Sequence, residues 1–164
     1  MKKTKLYIFS ILLILIPKTS FGLIEVDITR GNLNPLPIAV SPLFVETKSV
    51  KNFQNLLNKE NIGEDISSVV ESNLKSSGLF NPLKKEAFLQ KPDIAHLKPR
   101  FEDWALIKAQ ALITGEVKYE NGKLRVEFRL WDVLAGKEMM ALAFTTVPNN
   151  WRRVGHIITD KVYQ

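Results

Sequence analysis

Residues 111–147 read ALITGEVKYENGKLRVEFRLWDVLAGKEMMALAFTTV, and they hold three extended runs separated by two turns. Residues 111–119 are a run of mostly apolar and small side chains that stops at Asn121-Gly122. Beyond it Leu124, Val126, Phe128 and Leu130 alternate with charged residues, the period-two pattern of a half-buried strand. Asn-Gly between two such runs favours a two-residue hairpin of type I′, in which both turn residues take positive φ. Ala135-Gly136 is a second turn, leading into a third strand over residues 139–147. This part of the chain is therefore an antiparallel meander.

Immediately before it, Trp104, Ile107 and Ala111 recur at helical spacing and predict a helix within residues 101–110. After the meander, Trp151, Val154, Ile158 and Val162 share one helical face, with Asn149 or Asn150 placed to cap it. That face is still running at Gln164 with no Gly, Asn or Pro stop, the pattern expected of a helix cut short. Before the meander, residues 84–99 have no period and read as a connection, and residues 79–83 read as a short strand or edge segment. Ile66, Val69, Val70 and Leu74 predict a helix from Asp65, which Ser76-Ser77-Gly78 ends with Gly78 in the left-handed conformation. Val50, Phe53, Leu56 and Leu57 place one or two helical turns within residues 46–61. Residues 36–45 are a nearly continuous apolar run, as in a strand covered on both faces, bracketed by Pro37 and Pro42. Together these segments predict an α/β fold: a mixed β-sheet containing the meander, with about two to three helices packed on it.

The first residues carry a different signal. Lys2, Lys3 and Lys5 precede an eleven-residue apolar run, residues 6–16, which is too short for a bilayer span of about 20 residues. Ser20-Phe21-Gly22 then supplies small residues for cleavage after Gly22, so residues 1–22 read as a signal peptide for export to the periplasm. Removing them takes away four lysines and no acid. The 23 basic and 17 acidic residues of the whole become 19 and 17, which removes the main argument for a nucleic-acid partner. The 142 residues left suit a single domain that buries about two thirds of its unfolded surface. With no cysteine, there is no disulfide, thiolate nucleophile or cysteine metal site.

Little in the sequence points to catalysis. His96 and His156 have no second ligand at metal spacing, so neither a metal nor another cofactor is expected. Ser41 follows an apolar strand, as a hydrolase serine would, but its neighbours are Val40 and Pro42 rather than the glycines of a nucleophile elbow. Glu64 and Asp65 suit the first turn of a helix, where they complement its dipole, and Glu71 suits its polar face. Glu116, Lys118, Glu120, Arg125, Glu127 and Arg129 form the polar face of the hairpin, with signs available for cross-strand pairing. That face is either solvated or part of a docking surface. A strand is also expected at residues 23–29, where Ile24, Val26 and Ile28 face one way and Glu25, Asp27 and Thr29 the other. Arg30-Gly31-Asn32 follows as a flexible joint, so this strand can pair at home or add to the edge of another protein.

In order along the chain, the segments EVDITRG at 25–31, PIAVSP at 37–42, DI at 65–66 through SGLF at 77–80, FEDW at 101–104, residues 111–115, residues 126–133 and WRRVGH at 151–156 resemble the TolB amino-terminal domain family of the Tol-Pal system. The resemblance implies a non-enzymatic periplasmic protein that serves outer-membrane integrity, envelope invagination during cell division and protein import. It further implies that Leu23, Ile24, Glu25, Val26, Asp27, Ile28, Thr29 and Arg30 contact the carboxy-terminal domain of TolA. In that family a β-propeller follows this domain and binds the lipoprotein Pal. No propeller is present in residues 23–164, so the chain is expected to be truncated before it and Pal binding is not expected. The competing expectations are a small periplasmic hydrolase using Ser41 or His156, a self-associating domain, and a truncated fragment without function.

Overall fold

A computed structural model of the protein describes residues 34–164. The signal segment and the strand expected at residues 23–29 lie outside the described residues. The hairpin joins β4, Ala111–Glu120, to β5, Lys123–Asp132, in unbroken antiparallel register from Ala111↔Asp132 to Glu120↔Lys123. Asn121 and Gly122 both have positive φ, 50° and 77°, as the type I′ turn demands. Gly136, at φ 62°, makes the second turn, and β6, Lys137–Thr146, completes the meander against β5. The third strand begins and ends slightly earlier than its alternation suggests. A register shift beside Leu130 and Trp131 sets Met140 opposite Leu130 and Glu138 opposite Trp131, so Met139 has no opposite number.

The apolar run at 36–45 does not form one strand. β1, Leu36–Val40, and β2, Phe44–Val45, lie end to end along β4, both parallel to it. Val40 is opposite Ile113 while Phe44 is opposite Glu116, so one extra residue sits on the β1–β2 side. Pro42, lacking an N–H, stands in that gap, and the Leu43 N–H turns away from the sheet to the Gly63 carbonyl. On its other side β1 pairs in parallel with the short β3, Phe80–Pro82, the edge segment expected near 79–83. The sheet order is β3-β1-β4-β5-β6, with β2 continuing β1 beside β4.

Among the described residues three helices of eleven residues or more accompany the sheet: α1, Thr47–Leu57; α2, Ile62–Ser76; and α5, Trp151–Val162. Helix α2 starts three residues before the expected Asp65, and Gly78, at φ 71°, ends it in the left-handed conformation. Ile66, Val70 and Leu74 of α2 and Val154 and Ile158 of α5 pack with Ile38, Val40, Ile113, Val117, Leu124, Val126 and Phe128 into the main core. Asn150 occupies the N-cap position of α5 without capping it; its amide donates to Thr146 Oγ1 at 3.1 Å instead, which anchors the helix to the end of β6.

The opposite face of the sheet carries a smaller core, in which Trp104, Ala95 and Ala109 meet Ala39, Leu112 and Val133. The helix expected within 101–110 is shorter than its spacing implies. Helix α4, Phe101–Leu106, ends there because Lys108 takes φ 63° and the Ala109 N–H returns to the Trp104 carbonyl. The aperiodic connection holds a 3-10 turn at Lys85–Ala87 and α3, Pro92–Ala95. Its organiser is Gln90, 3% exposed, whose Oε1 accepts from Trp104 Nε1 at 3.0 Å and from the Arg100 backbone N–H at 2.9 Å. Its Nε2 donates to the Lys98 carbonyl at 3.3 Å.

Candidate functional site

The two residues named for hydrolysis are occupied with structure. Ser41 is buried in the break between β1 and β2, and its hydroxyl donates to the adjacent Pro42 carbonyl at 3.2 Å. His156 is on the far side of the core, on the outer surface of α5, where its Nδ1 meets Asn73 Nδ2 at 2.9 Å. Since an amide nitrogen only donates, His156 Nδ1 is the acceptor, and the imidazole serves to join α5 to α2. The same Asn73 amide also reaches Thr159 Oγ1 at 3.3 Å, and the Tyr163 hydroxyl donates to the Asn73 carbonyl at 3.1 Å.

His96 is buried in the connection, stacked on Phe44 with ring centroids 4.3 Å apart. Its Nδ1 bonds the Pro92 carbonyl at 2.9 Å, so Nδ1 carries the proton. Among the described residues no group of three or more His, Asp or Glu side chains is arranged to hold a metal ion. The helix carboxylates pair with lysines: Asp65 with Lys59 at 2.6 Å, and Glu64 and Glu71 with Lys85 at 3.4 and 3.8 Å. Glu64 and Asp65 do sit in the first turn of α2.

The polar face of the hairpin is charged in an order that alternation does not reveal. The register puts Glu116 opposite Glu127 and Lys118 opposite Arg125, so like charges face each other across the strands. Compensation runs along each strand: Lys118 to Glu116 at 2.9 Å on β4, and Arg125 to Glu127 at 2.8 Å on β5. The cross-strand pairing expected from sequence is therefore corrected. Two residues of one sign in a row would repel, and the adjacent row of opposite sign offsets this. The hydrogen bond from Arg125 holds the Glu127 carboxyl below its ordinary value against the effect of burial. The hydrogen bond to Glu116 likewise raises Lys118. Arg129 pairs instead with Glu138 of β6 at 3.3 Å, and its Nη1 reaches the His96 carbonyl at 3.3 Å. The four central side chains are 17–37% exposed, and the smaller core packs on the same face at Leu112 and Trp131.

The proposed contact residues, Leu23, Ile24, Glu25, Val26, Asp27, Ile28, Thr29 and Arg30, lie outside the described residues. The exposure of β6 carries no signal in the sequence: a third strand is predicted there, but only the order of the described strands makes it an edge. Among the described residues no helix is long and apolar enough to cross a membrane.

A family model described as the TolB amino-terminal domain matches residues 24–139. The Tol-Pal system protein TolB of Pelagibacter ubique (strain HTCC1062) is 73% identical to this chain over 158 residues. That match covers 96% of this chain and 35% of the relative, so the chain spans about a third of the length of the curated protein it resembles. Among solved structures, TolB from Acinetobacter baumannii aligns with a TM-score of 0.61 at 19% identity, over 79% of this chain and 28% of that one. Lipoprotein GNA1162 from Neisseria meningitidis aligns with a TM-score of 0.51 at 20% identity, over 79% of this chain and 96% of that one. At these identities the two structures establish the likeness of fold alone.

Proposed function

This chain belongs to the TolB amino-terminal domain family, and on that footing we propose that it is a non-enzymatic periplasmic component of the Tol-Pal cell-envelope system. The reading is carried by the 73% identity to a Tol-Pal system TolB across nearly the whole chain. It acts by protein contact: residues 23–30 add as a strand to the carboxy-terminal domain of TolA, in support of outer-membrane integrity and invagination at division. The alternation of Ile24, Val26 and Ile28 with Glu25, Asp27 and Thr29 suits such an addition, because main-chain bonds supply affinity and alternate side chains supply specificity. The family match begins at residue 24 and so includes most of this segment. A non-catalytic role agrees with the bonding of Ser41 and His156, both engaged in local structure. Export through a signal peptide cleaved after Gly22 belongs to the same reading. Contact with Pal, which the family makes through its propeller, is assigned to no residue of this chain.

Calorimetric titration of the TolA carboxy-terminal domain with this chain, with and without residues 23–30, tests the proposal. Binding is expected to vanish on deletion while the circular dichroism of the folded domain persists. Binding that survives the deletion would remove the strand from the mechanism.

A further inference from the structure

Among the described residues strand β6 is paired on one side only. From Met139 to Trp151 the sequence holds no charged residue, and Ala141, Leu142 and Ala143 are exposed in the middle of the strand. Proteins usually protect a sheet edge with lysine, proline, a bulge or brevity. Here the protection is confined to the ends, with Lys137 and the register shift at the start and Pro148 beyond the finish. Residues 140–146 are left as seven consecutive uncharged positions on an open edge.

A groove of about 300 Å³ runs beside the second half of this edge, between β6 and α5. Phe144, Val154 and Ile157 form its apolar wall, and among the described residues Arg153 is the one charged residue lining it. Arg153 is exposed and makes no ion pair within 4 Å among the described residues, in contrast to Arg125 and Arg129 on the neighbouring strand. We propose that β6 is a second docking edge, which accepts an extended segment of another protein whose residues alternate between apolar and acidic. The apolar side chains enter the groove against Phe144 and Ile157, the backbone pairs with β6, and a carboxylate meets Arg153. The unpaired guanidinium sets the partner's charge, since a basic or neutral strand would leave it without a counter-ion where partner binding removes water. This edge shares no residue with 23–30, so its role is independent of the TolA contact.

A capped eight-residue peptide alternating valine and glutamate serves as the probe, with a valine and lysine peptide as its control. Amide exchange by NMR on this chain is expected to slow at residues 140–146 when the glutamate peptide is added, and affinity for the lysine peptide to be at least about tenfold lower. Arg153→Glu, an exposed change that leaves the core untouched, should reverse that preference, whereas deleting residues 23–30 should leave it intact. Ala143→Pro should abolish binding of both peptides. Equal binding of the two peptides, or no slowing at β6, would overturn the proposal. So would concentration-dependent dimerisation that protects the same amides without peptide, since the edge would then serve a second copy of the chain.

Discussion

Gly155 of α5 crosses Val69 of α2 so closely that a Cβ on the glycine would stand 2.8 Å from Val69 Cγ1. Both backbones belong to the helix pair that closes the main core, so neither can withdraw without opening contacts around Ile66 and Ile158. Gly155→Ala should therefore destabilise the domain by about 1–3 kcal/mol, the usual cost of overpacking. Urea unfolding would show this as a lower midpoint with an unchanged slope. Val69→Ala in the same chain should recover part of the loss, because it removes the methyl groups that the new Cβ meets.

Gln90 is the fastening of a segment with no regular structure of its own. Gln90→Leu keeps the volume but leaves the Trp104 indole N–H and the Arg100 N–H without their acceptor. A buried donor left unsatisfied costs about 1–3 kcal/mol. The loss should be local first: hydrogen exchange is expected to accelerate across residues 88–104 before the meander is affected.

Asn73 joins α2 to α5 through His156 and Thr159, and through its own carbonyl to Tyr163. Asn73→Ala removes the side-chain bonds at a site that is partly open to water, where the net loss is about 0.5–1.5 kcal/mol. Thermal unfolding of Asn73→Ala and His156→Ala, singly and together, should give less than additive losses, since each deletes the same bond.

The charged rows of the hairpin give stability a pH dependence with two arms. The Glu127 carboxyl titrates lower in the folded protein than in the unfolded chain, so its contribution is complete above the unfolded value of about 4.3 and is lost as pH falls through the folded one. Lys118 titrates higher when folded; its contribution is complete below about 10.4 and is lost as pH rises through the folded value. Glu127→Gln should flatten the acid arm of a plot of urea midpoint against pH, and Glu116→Gln the alkaline arm. Both effects should shrink in high salt because the groups are partly exposed.

The meander and the helical faces were legible because their signals are local. Asn121-Gly122 specifies its own turn, and alternation over Leu124, Val126, Phe128 and Leu130 needs only the pleat to put those side chains on one face. The apolar run at 36–45 predicts one strand where there are two, because hydrophobicity reports burial but not an inserted residue, and the offset at Pro42 exists only relative to β4. Alternation alone puts the charges at 116–129 on one face, yet their partners depend on the register of two strands. Gln90 gave no signal, since a glutamine in an aperiodic stretch becomes an organiser only when Trp104 arrives beside it.

Local patterns specify which segments are extended, which are helical and which family the chain resembles, because turn chemistry, side-chain period and collinear motifs are written residue by residue. That β1 lies between β3 and β4, and that β6 is an edge among the described residues, is set by the tertiary structure alone. An edge is a property of strand order, and strand order is chosen by long-range packing of α2 and α5 on the sheet, which no local pattern encodes.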